Sequence, residues 1–257
     1  SIEDKAFSGC SSLTSVAIPA SVTSIGDYVF SGCKALKRII VLGKSDIQIP
    51  NYKGSIIYGD AMINGMVIKD NIVTTVIDPS ITAVTIPASV TSIGEEAFRG
   101  CSSLTTVTIP NSVTSIGETA FSNCSSLQSV IIPASVTSIG NRAFYGCSSL
   151  TSVAIPASVT SMEMYAFFNC SSLKSVIIQE GVTSIGVGAF RGCSSLTDIT
   201  IPASVTSIGD QAFLFCSSLT AVTIPNSVKS IGETAFMGCE ALTSVTIQEG
   251  VTSIGVG

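Results

Sequence analysis

Apolar residues recur along most of the chain with a period of 23 residues. The period recurs from Ile81 to the end of the chain, and once near its beginning from Leu13 to Cys33. A single turn of such a repeat cannot cover its own apolar face, whereas stacked turns bury a continuous core. The pattern therefore predicts a solenoid. In one period the apolar positions are Leu104, Val107, Ile109, Val113, Ile116, Ala120, Phe121 and Cys124.

Each period predicts a short strand followed by tight turns. Val107 and Ile109 alternate with Thr108, which is typical of a β-strand with one buried face. Pro110 has no N–H group for a ladder and closes the strand. Gly117 lets the backbone turn again, and Ala120–Phe121 predicts one short helical or 3-10 turn that faces the core.

The residue before the cysteine is glycine or asparagine in eight periods. Because these two residue types tolerate a left-handed backbone, the position predicts a C-cap with positive φ. Phe215 occupies this position in one period and predicts local strain. The other members of the column are Gly9, Gly32, Gly100, Asn123, Gly146, Asn169, Gly192 and Gly238.

From Ser1 to Ser253 the chain spans about eleven periods. We therefore expect residues 1–257 to form a single solenoid of about eleven turns. Both ends fall within a Ser-Ile phase of the repeat, and solenoids need polar capping turns. We expect the chain to be a fragment of a longer array.

The motif Leu-x-x-Val-x-Ile-Pro-x-Ser-Val-x-Ser-Ile-Gly-x-x-Ala-Phe-x-x-Cys resembles the BspA-like, treponemal-type leucine-rich repeats. This resemblance implies a β-rich leucine-rich-repeat solenoid with a parallel sheet on its concave side. Proteins of this family are typically large surface or secreted proteins, several of which act in adhesion. The resemblance therefore implies an extracellular or cell-surface location, a protein or glycan partner, and no catalytic residues.

Composition excludes several other functions. Only 11% of the residues are charged, the net charge is −5, and no long basic run occurs, which argues against nucleic acid as a partner. No apolar run approaches the 18 residues of a membrane-spanning helix. The chain has no histidine, so it cannot form a Ser-His-Asp or Cys-His arrangement. We expect the chain not to be an enzyme.

The nine cysteines follow the repeat spacing and form no CxxC pair. Free cysteine packs as a small hydrophobe, so the spacing predicts a buried column of reduced thiols. Cysteines one turn apart with no other ligand do not make a metal site. The sequence thus predicts no metal and no cofactor. Two Asn-x-Ser sequons, at Asn123 and Asn169, arise when asparagine fills the cap position.

The repeat signal is lost in an irregular island at residues 42–80. Strands on either side of Asp70-Asn71 predict a β-hairpin there. Basic residues including Lys44 precede or enter the island, and insertions in solenoids often map to the binding face. The first candidate partner-binding site combines basic, exposed apolar and aromatic side chains, namely Lys37, Arg38, Ile40, Tyr52 and Tyr58.

A second candidate patch lies directly after the core phenylalanine of successive periods. Small residues such as Ser122 give way there to the large and cationic side chains that interface centres favour. This patch consists of Tyr145, Phe168, Arg191, Leu214 and Met237. The sequence predicts instead a solvated acidic edge formed by Glu95, Glu96 and Glu118.

Two functions remain open from the sequence. The leading hypothesis is a binding or adhesion module that displays a surface. The alternative is a structural spacer or matrix scaffold, with end-to-end or lateral self-association between arrays. A binding module should concentrate its departures from the repeat in one patch, as the island and the second patch do.

Overall fold

The computed structural model describes residues 1–43 and 47–256, so Lys44 lies outside the described residues. The chain divides into two compact units, Ser1–Ile77 and Asp78–Gly257. The repeat accounts for about ten turns of a parallel β-solenoid, and the 23-residue period is confirmed. The expected count of eleven was one too high, because part of the island forms antiparallel strands that are not repeat turns.

The first unit contains a parallel three-stranded sheet and an antiparallel meander. The parallel sheet has the order β1 (Ser15–Ile18), β2 (Arg38–Leu42) and β3 (Ser55–Gly59). β4 (Ala61–Ile63), β5 (Met66–Lys69) and β6 (Ile72–Val76) form the meander.

Two tight turns join the strands of this meander. The hairpin expected around Asp70-Asn71 is the one between β5 and β6, where the two turn residues have φ values of 53° and 60°. Asn64-Gly65 joins β4 to β5 with φ values of 49° and 77°. Positive φ at both central residues is typical of a type I′ turn, and both pairs have it.

The second unit is built from two rows of parallel strands. The long row is an eight-stranded sheet in which each strand pairs with its equivalent one repeat later, for example Ser152 with Ser175. Its strands are β7 (Ala83–Thr85), β9 (Thr106–Thr108), β11 (Ser129–Val130), β13 (Ser152–Ile155), β15 (Ser175–Ile178), β17 (Asp198–Thr200), β19 (Ala221–Ile224) and β21 (Ser244–Ile247).

Two-residue strands at the Ser-Ile positions form the second row. They pair one repeat apart in two separate ladders. These strands are β8 (Ser92–Ile93), β10 (Ser115–Ile116), β12 (Ser138–Ile139), β14 (Ser161–Met162), β16 (Ser184–Ile185), β18 (Ser207–Ile208), β20 (Ser230–Ile231) and β22 (Ser253–Ile254).

The segment between each Gly and Cys is a hydrogen-bonded turn, and the expected helical or 3-10 turn is absent from the described residues. Successive N–H groups of this segment donate alternately to a carbonyl of the same turn and to a carbonyl of the next turn. Arg99 N donates to Glu96 O within the turn at 2.9 Å, whereas Phe98 N donates to Ala120 O of the next turn at 2.7 Å. In a helix each N–H group donates to a carbonyl of the same segment. Hydrogen bonds between neighbouring turns therefore exclude a helix here.

Two positions in each turn adopt positive φ. The cap before cysteine was predicted and is confirmed, with φ of 73° at Gly100 and 59° at Asn123, and Phe215 keeps the same conformation with φ of 61°. The other position was not predicted from the sequence, and in most turns it lies two residues after the Gly of Ser-Ile-Gly. Its members are Lys5, Tyr28, Glu96, Thr119, Arg142, Tyr165, Gly188, Gln211 and Thr234.

Core phenylalanines form a stacked ladder along the second unit. Their side chains are fully buried, and successive ring centroids lie 4.9–5.7 Å apart. The ladder includes Phe98, Phe121, Phe144, Phe167, Phe190 and Phe213. Burial depends on a neighbour on each side: Ile224 is 0% exposed, whereas its equivalent Ile247 in the last turn is 47% exposed.

The cysteines form a second internal ladder and are all free. Each thiol in the second unit from Cys124 onward donates to a phenylalanine carbonyl of the preceding turn; Cys170 Sγ, for example, lies 3.2 Å from Phe144 O. Burial raises the pKa of Cys101 to about 11 and raises the pKa of Cys170 well above its ordinary value. These thiols therefore stay protonated at neutral pH.

Candidate functional site

The hydrogen-bonded turns of the second unit carry a groove of about 580 Å³ on their outer side. A groove of this size lies within the range of small-ligand sites. Its lining residues come from five consecutive turns and mix carboxylates, guanidiniums and aromatic rings. They are Glu95, Glu96, Arg99, Glu118, Thr119, Ser122, Asn123, Arg142, Tyr145, Tyr165, Phe168 and Arg191.

The repeat itself brings these residues together. Most of the lining comes from two columns, one at the positive-φ position and the other directly after the core phenylalanine. Equivalent residues in adjacent turns are held in register by the backbone bonds between turns, such as Asn123 N to Tyr145 O at 2.6 Å. Side chains that are 23 residues apart in sequence therefore become direct neighbours.

Aromatic and cationic side chains stack along one half of the groove. The rings of Tyr145 and Phe168 are parallel, with centroids 4.8 Å apart and an interplanar angle of 1°. The Arg191 guanidinium lies 5.3 Å from the centroid of Phe168. Tyr165 meets Phe168 edge-on at 5.6 Å, and the Arg142 guanidinium lies 5.4 Å from the Tyr165 centroid. Each cation–π contact at an exposed site stabilises by roughly 0.5–1 kcal/mol.

The other half of the groove is lined by smaller side chains and contains more carboxylates. Arg99 forms an ion pair with Glu96, three residues earlier in the chain. Between Arg99 and Tyr145 the column after the phenylalanine holds only Ser122, which is 4% exposed and forms part of the floor. Glu118 and Asn123 are exposed beside it.

The charges of the lining balance. The groove contains three carboxylates and three guanidiniums, so neither a strongly anionic nor a strongly cationic surface results. Opposite charges are also distributed along its length, because Glu96 pairs with Arg99 at one end while Arg191 donates to Gln211 at the other. The arrangement can bind a ligand through ring stacking and hydrogen bonds.

The second predicted patch contributes only part of this groove. Tyr145, Phe168 and Arg191 line it, whereas Leu214 and Met237 do not. Leu214 is 3% exposed, so its expected place on a surface ridge was wrong: it is apolar and a turn on each side covers it. Met237 is 48% exposed but lies beyond the groove.

The first predicted site does not form one exposed patch. Ile40 was expected to be exposed but is 1% exposed. The antiparallel meander explains this correction, because it gives the outer face of β2 a partner: Arg38, half-buried, donates from Nη1 to Val76 O of β6 at 3.3 Å. Lys37 is exposed, as expected.

The two tyrosines of that first site serve the core of the first unit. Tyr52 and Tyr58 are half-buried and pack against its hydrophobic cluster. The Tyr52 hydroxyl donates to Leu36 O at 3.4 Å, and burial raises the pKa of Tyr52. Tyrosines that pack inward cannot supply the aromatic anchors expected beside Lys37 and Arg38.

Several groove residues were not singled out by the sequence. Glu95, Glu96 and Glu118 had been interpreted as a solvated acidic edge, and Arg142 and Tyr165 had no assigned role. The available signal was the column of Arg142 and Tyr165, which holds polar or large side chains in most turns although it lies within two residues of the core phenylalanine.

Metal ligands, thiol reactivity and long apolar helices bear on other classes of function. Among them, no group of three or more His, Cys, Asp or Glu side chains could hold a metal ion. The buried cysteines have raised pKa values, since burial disfavours the thiolate, and so are poor nucleophiles. Within residues 1–43 and 47–256, no helix is long and apolar enough to cross a membrane.

Comparison with known proteins agrees with this repeat architecture. A leucine-rich repeat protein from Eubacterium ventriosum is 25% identical over 92% of this chain and 67% of its own, with a TM-score of 0.70. A leucine rich cell surface protein from Faecalibacterium prausnitzii is 29% identical over 96% of this chain and 82% of its own, with a TM-score of 0.49. The T. pallidum leucine rich repeat protein is 30% identical over 77% of this chain and 71% of its own, with a TM-score of 0.40.

Among curated proteins, none matches the chain. The pattern of the BspA type leucine rich repeat region, in six copies, matches residues 1–56, 77–194 and 160–257. These ranges cover most of the chain, including both flanks of the island. The chain therefore belongs to the BspA type leucine rich repeat family.

Proposed function

We propose that the chain is a non-catalytic binding module that acts at the cell surface or outside the cell, and that its ligand-binding surface is the groove between Glu95 and Arg191. Family membership supports a repeat protein that works by displaying a surface. The groove favours a binding role over a purely structural one. Large aromatic and cationic side chains concentrate in it, at repeat positions where other turns have small residues.

The stacked half of the groove is the observation that carries the proposal. Phe168 contacts Tyr145, Tyr165 and Arg191 at once, so these side chains are held in place before any ligand arrives. Preorganised side chains lose less conformational entropy on binding than mobile ones. Aromatic and arginine residues are also the types that dominate binding energy at interfaces.

The test compares adhesion of the intact chain with that of a groove variant. Cys10 is exposed and free, Cys33 and Cys239 are half-buried, and Cys101 to Cys216 are buried, so a limiting amount of fluorescent maleimide should label Cys10 first. The labelled chain is then titrated onto extracellular-matrix extract and onto bacterial cells. Replacing Arg142 and Tyr165 by serine should reduce saturable binding by at least about tenfold, which corresponds to one strong contact.

A matched control separates this effect from a general loss of aromatic surface. Phe215 is 50% exposed in the same unit and lies outside the groove, so Phe215→Ser should bind like the parent. If the groove variant is retained as well as the parent, the ligand-binding surface is not the groove. If neither surface retains the parent chain, the binding role fails. The spacer role, with self-association detected by ultracentrifugation, would then be the better explanation.

A further inference from the structure

The second row of two-residue strands is interrupted at one boundary between repeats. β8, β10 and β12 belong to one ladder and β14 to β22 form another; within the part of the chain that the structure describes, β12 and β14 do not pair. Beside the strands, Thr137 N donates to Thr114 O at 2.8 Å. The equivalent bond from Thr160 N to Thr137 O is missing among the described residues. We call this boundary, between residues 137–140 and 160–163, the seam.

One side chain explains the seam. The other turns of the second unit have glycine directly after Ser-Ile, and this glycine packs on the backbone of the preceding turn. A Cβ atom at Gly140 would lie 2.6 Å from Glu118 N, and one at Gly209 would lie 2.8 Å from the carbonyl carbon of Gly186. Only a residue without a Cβ atom allows so close an approach. At the seam the position is Glu163, so its Cβ atom acts as a wedge that keeps β14 away from β12.

The same boundary stays closed on the side of the groove. Phe144 N donates to Ala166 O at 2.8 Å. Gly146 N donates to Phe168 O at the same distance. In the long row, β11 and β13 are joined by one residue pair, whereas β13 and β15 are joined by four. The two repeats are therefore joined firmly beneath the groove and weakly elsewhere.

The groove crosses this boundary. Tyr145 belongs to the repeat before the seam and Phe168 to the repeat after it, and their rings stack across it with centroids 4.8 Å apart. Arg142 and Tyr165 also meet across it, at 5.4 Å from guanidinium to ring centroid. A rotation about the closed side would tilt one half of the groove against the other. The backbone bonds beneath the rings would stay made, so the side chains would keep their order.

We propose that the seam is a hinge, in which Glu163 holds the short-strand ladder open and the repeats on either side tilt about the closed side beneath the groove. Opening the seam further breaks no hydrogen bond between Thr160 and Thr137, so the motion is less costly here than at an intact ladder. Any effect on ligand binding rests on the proposed function, whereas the hinge is a property of the chain without ligand.

Relaxation-dispersion NMR on the backbone amides of the intact chain, without ligand, tests the hinge. This measurement detects exchange between conformations on the μs–ms timescale of hinge motions. The parent should show dispersion at Thr137 and Thr160. The amides of Tyr145 and Phe168 should show it with the same exchange rate, because both lie beside the closed side. The amide of Thr206, which donates to Thr183 O at 2.8 Å in the intact ladder, should show none.

Two substitutions separate the Cβ atom of Glu163 from its carboxylate. Glu163→Gly removes the wedge, so the ladder should close: the dispersion should disappear, and hydrogen exchange of the Thr160 amide should slow by at least about tenfold. Glycine by itself loosens a chain, so a loss of motion is diagnostic. Glu163→Ala is the matched control, because it removes the charge, keeps the Cβ atom and should keep the dispersion.

The hinge is overturned if the parent shows no dispersion at Thr137 and Thr160, or if Glu163→Gly leaves that dispersion unchanged. Equal behaviour of Glu163→Ala and Glu163→Gly would overturn the wedge as its cause. Dispersion confined to the seam, with none at Tyr145 and Phe168, would overturn its link to the groove. None of these results decides whether the groove binds a ligand, which the adhesion assay measures separately.

Discussion

Alkaline pH should strongly lower the free energy of unfolding of this solenoid, because its core contains a column of buried thiols. Five of them, from Cys124 to Cys216, are 0% exposed, and burial is the first cause of their raised pKa values. A thiol is charged only after it loses its proton. The unfolded chain therefore releases these protons near pH 9, while the folded chain keeps them.

The direction and size of the effect follow from this difference. Above the unfolded pKa the folded state binds more protons, so stability is complete below about pH 9 and falls as the pH rises toward the folded pKa values. Each thiol then costs about 1.4 kcal/mol per pH unit. At pH 10 the five thiols together should lower the free energy of unfolding by about 7 kcal/mol, which is comparable with the whole stability of many domains.

Urea titrations followed by far-UV circular dichroism at pH 7, 9 and 10, in a non-thiol reductant, measure the loss. The control is the triple variant in which Cys147, Cys170 and Cys193 become serine, which keeps a hydroxyl donor near each phenylalanine carbonyl but does not titrate. Its loss between pH 7 and pH 10 should be about 4 kcal/mol smaller than that of the parent, because three of the titrating thiols are removed. Comparing each protein with itself cancels the cost of the substitutions, and equal losses in both proteins would refute the thiol mechanism.

Three further predictions concern the ladders and the first unit. Phe144→Ala should cost roughly 3–5 kcal/mol, and hydrogen exchange should accelerate in the turns on both sides, because repeat contacts are between nearest neighbours. Thr119→Gly should raise the urea midpoint by the equivalent of about 1 kcal/mol, since a non-glycine residue is strained at φ of 50° and the buried Thr119 hydroxyl has no hydrogen-bond partner. Arg38→Ser should destabilise the chain by about 1–2 kcal/mol through loss of the bond to Val76 O, whereas Lys37→Ser should be close to neutral.

Each of these predictions has a contrary result. Unchanged exchange in the turns next to Phe144→Ala would contradict nearest-neighbour stacking. A lower urea midpoint for Thr119→Gly would mean that glycine's greater freedom in the unfolded chain outweighs the relief of strain. Equal midpoints for Arg38→Ser and Lys37→Ser would show that the Arg38 hydrogen bond contributes nothing measurable.

The sequence determined the repeating part of the fold. Apolar side chains at fixed positions of a 23-residue period have only one way to be covered, namely by the equivalent side chains of the turns above and below. The same regularity predicted the free cysteine column and the positive φ at Gly100 and Asn123. These features depend on local chemistry repeated in register, so the linear pattern contains them.

The paths of the backbone hydrogen bonds were decided only in three dimensions. The Gly-to-Cys segment of each turn looks helical in isolation. Half of its N–H groups instead donate to the next turn, as Phe98 N does to Ala120 O. Whether such a segment pairs with itself or with its neighbour depends on the presence of the stack, which a single period does not show. The island shows the same limit, because the hairpin at Asp70-Asn71 was predicted from the sequence but the burial of Ile40 was not.

The candidate site shows the same division. Its composition was partly visible, since Tyr145, Phe168 and Arg191 stood out in one column of the repeat. The sequence did not predict that they line one groove with Glu118 and Arg142. That arrangement requires the backbone pairing between turns, which places residues 23 apart in sequence side by side. The pattern of a sequence indicates which columns face outward, but only the stacking of turns decides which side chains meet and which of them, such as Leu214, are covered.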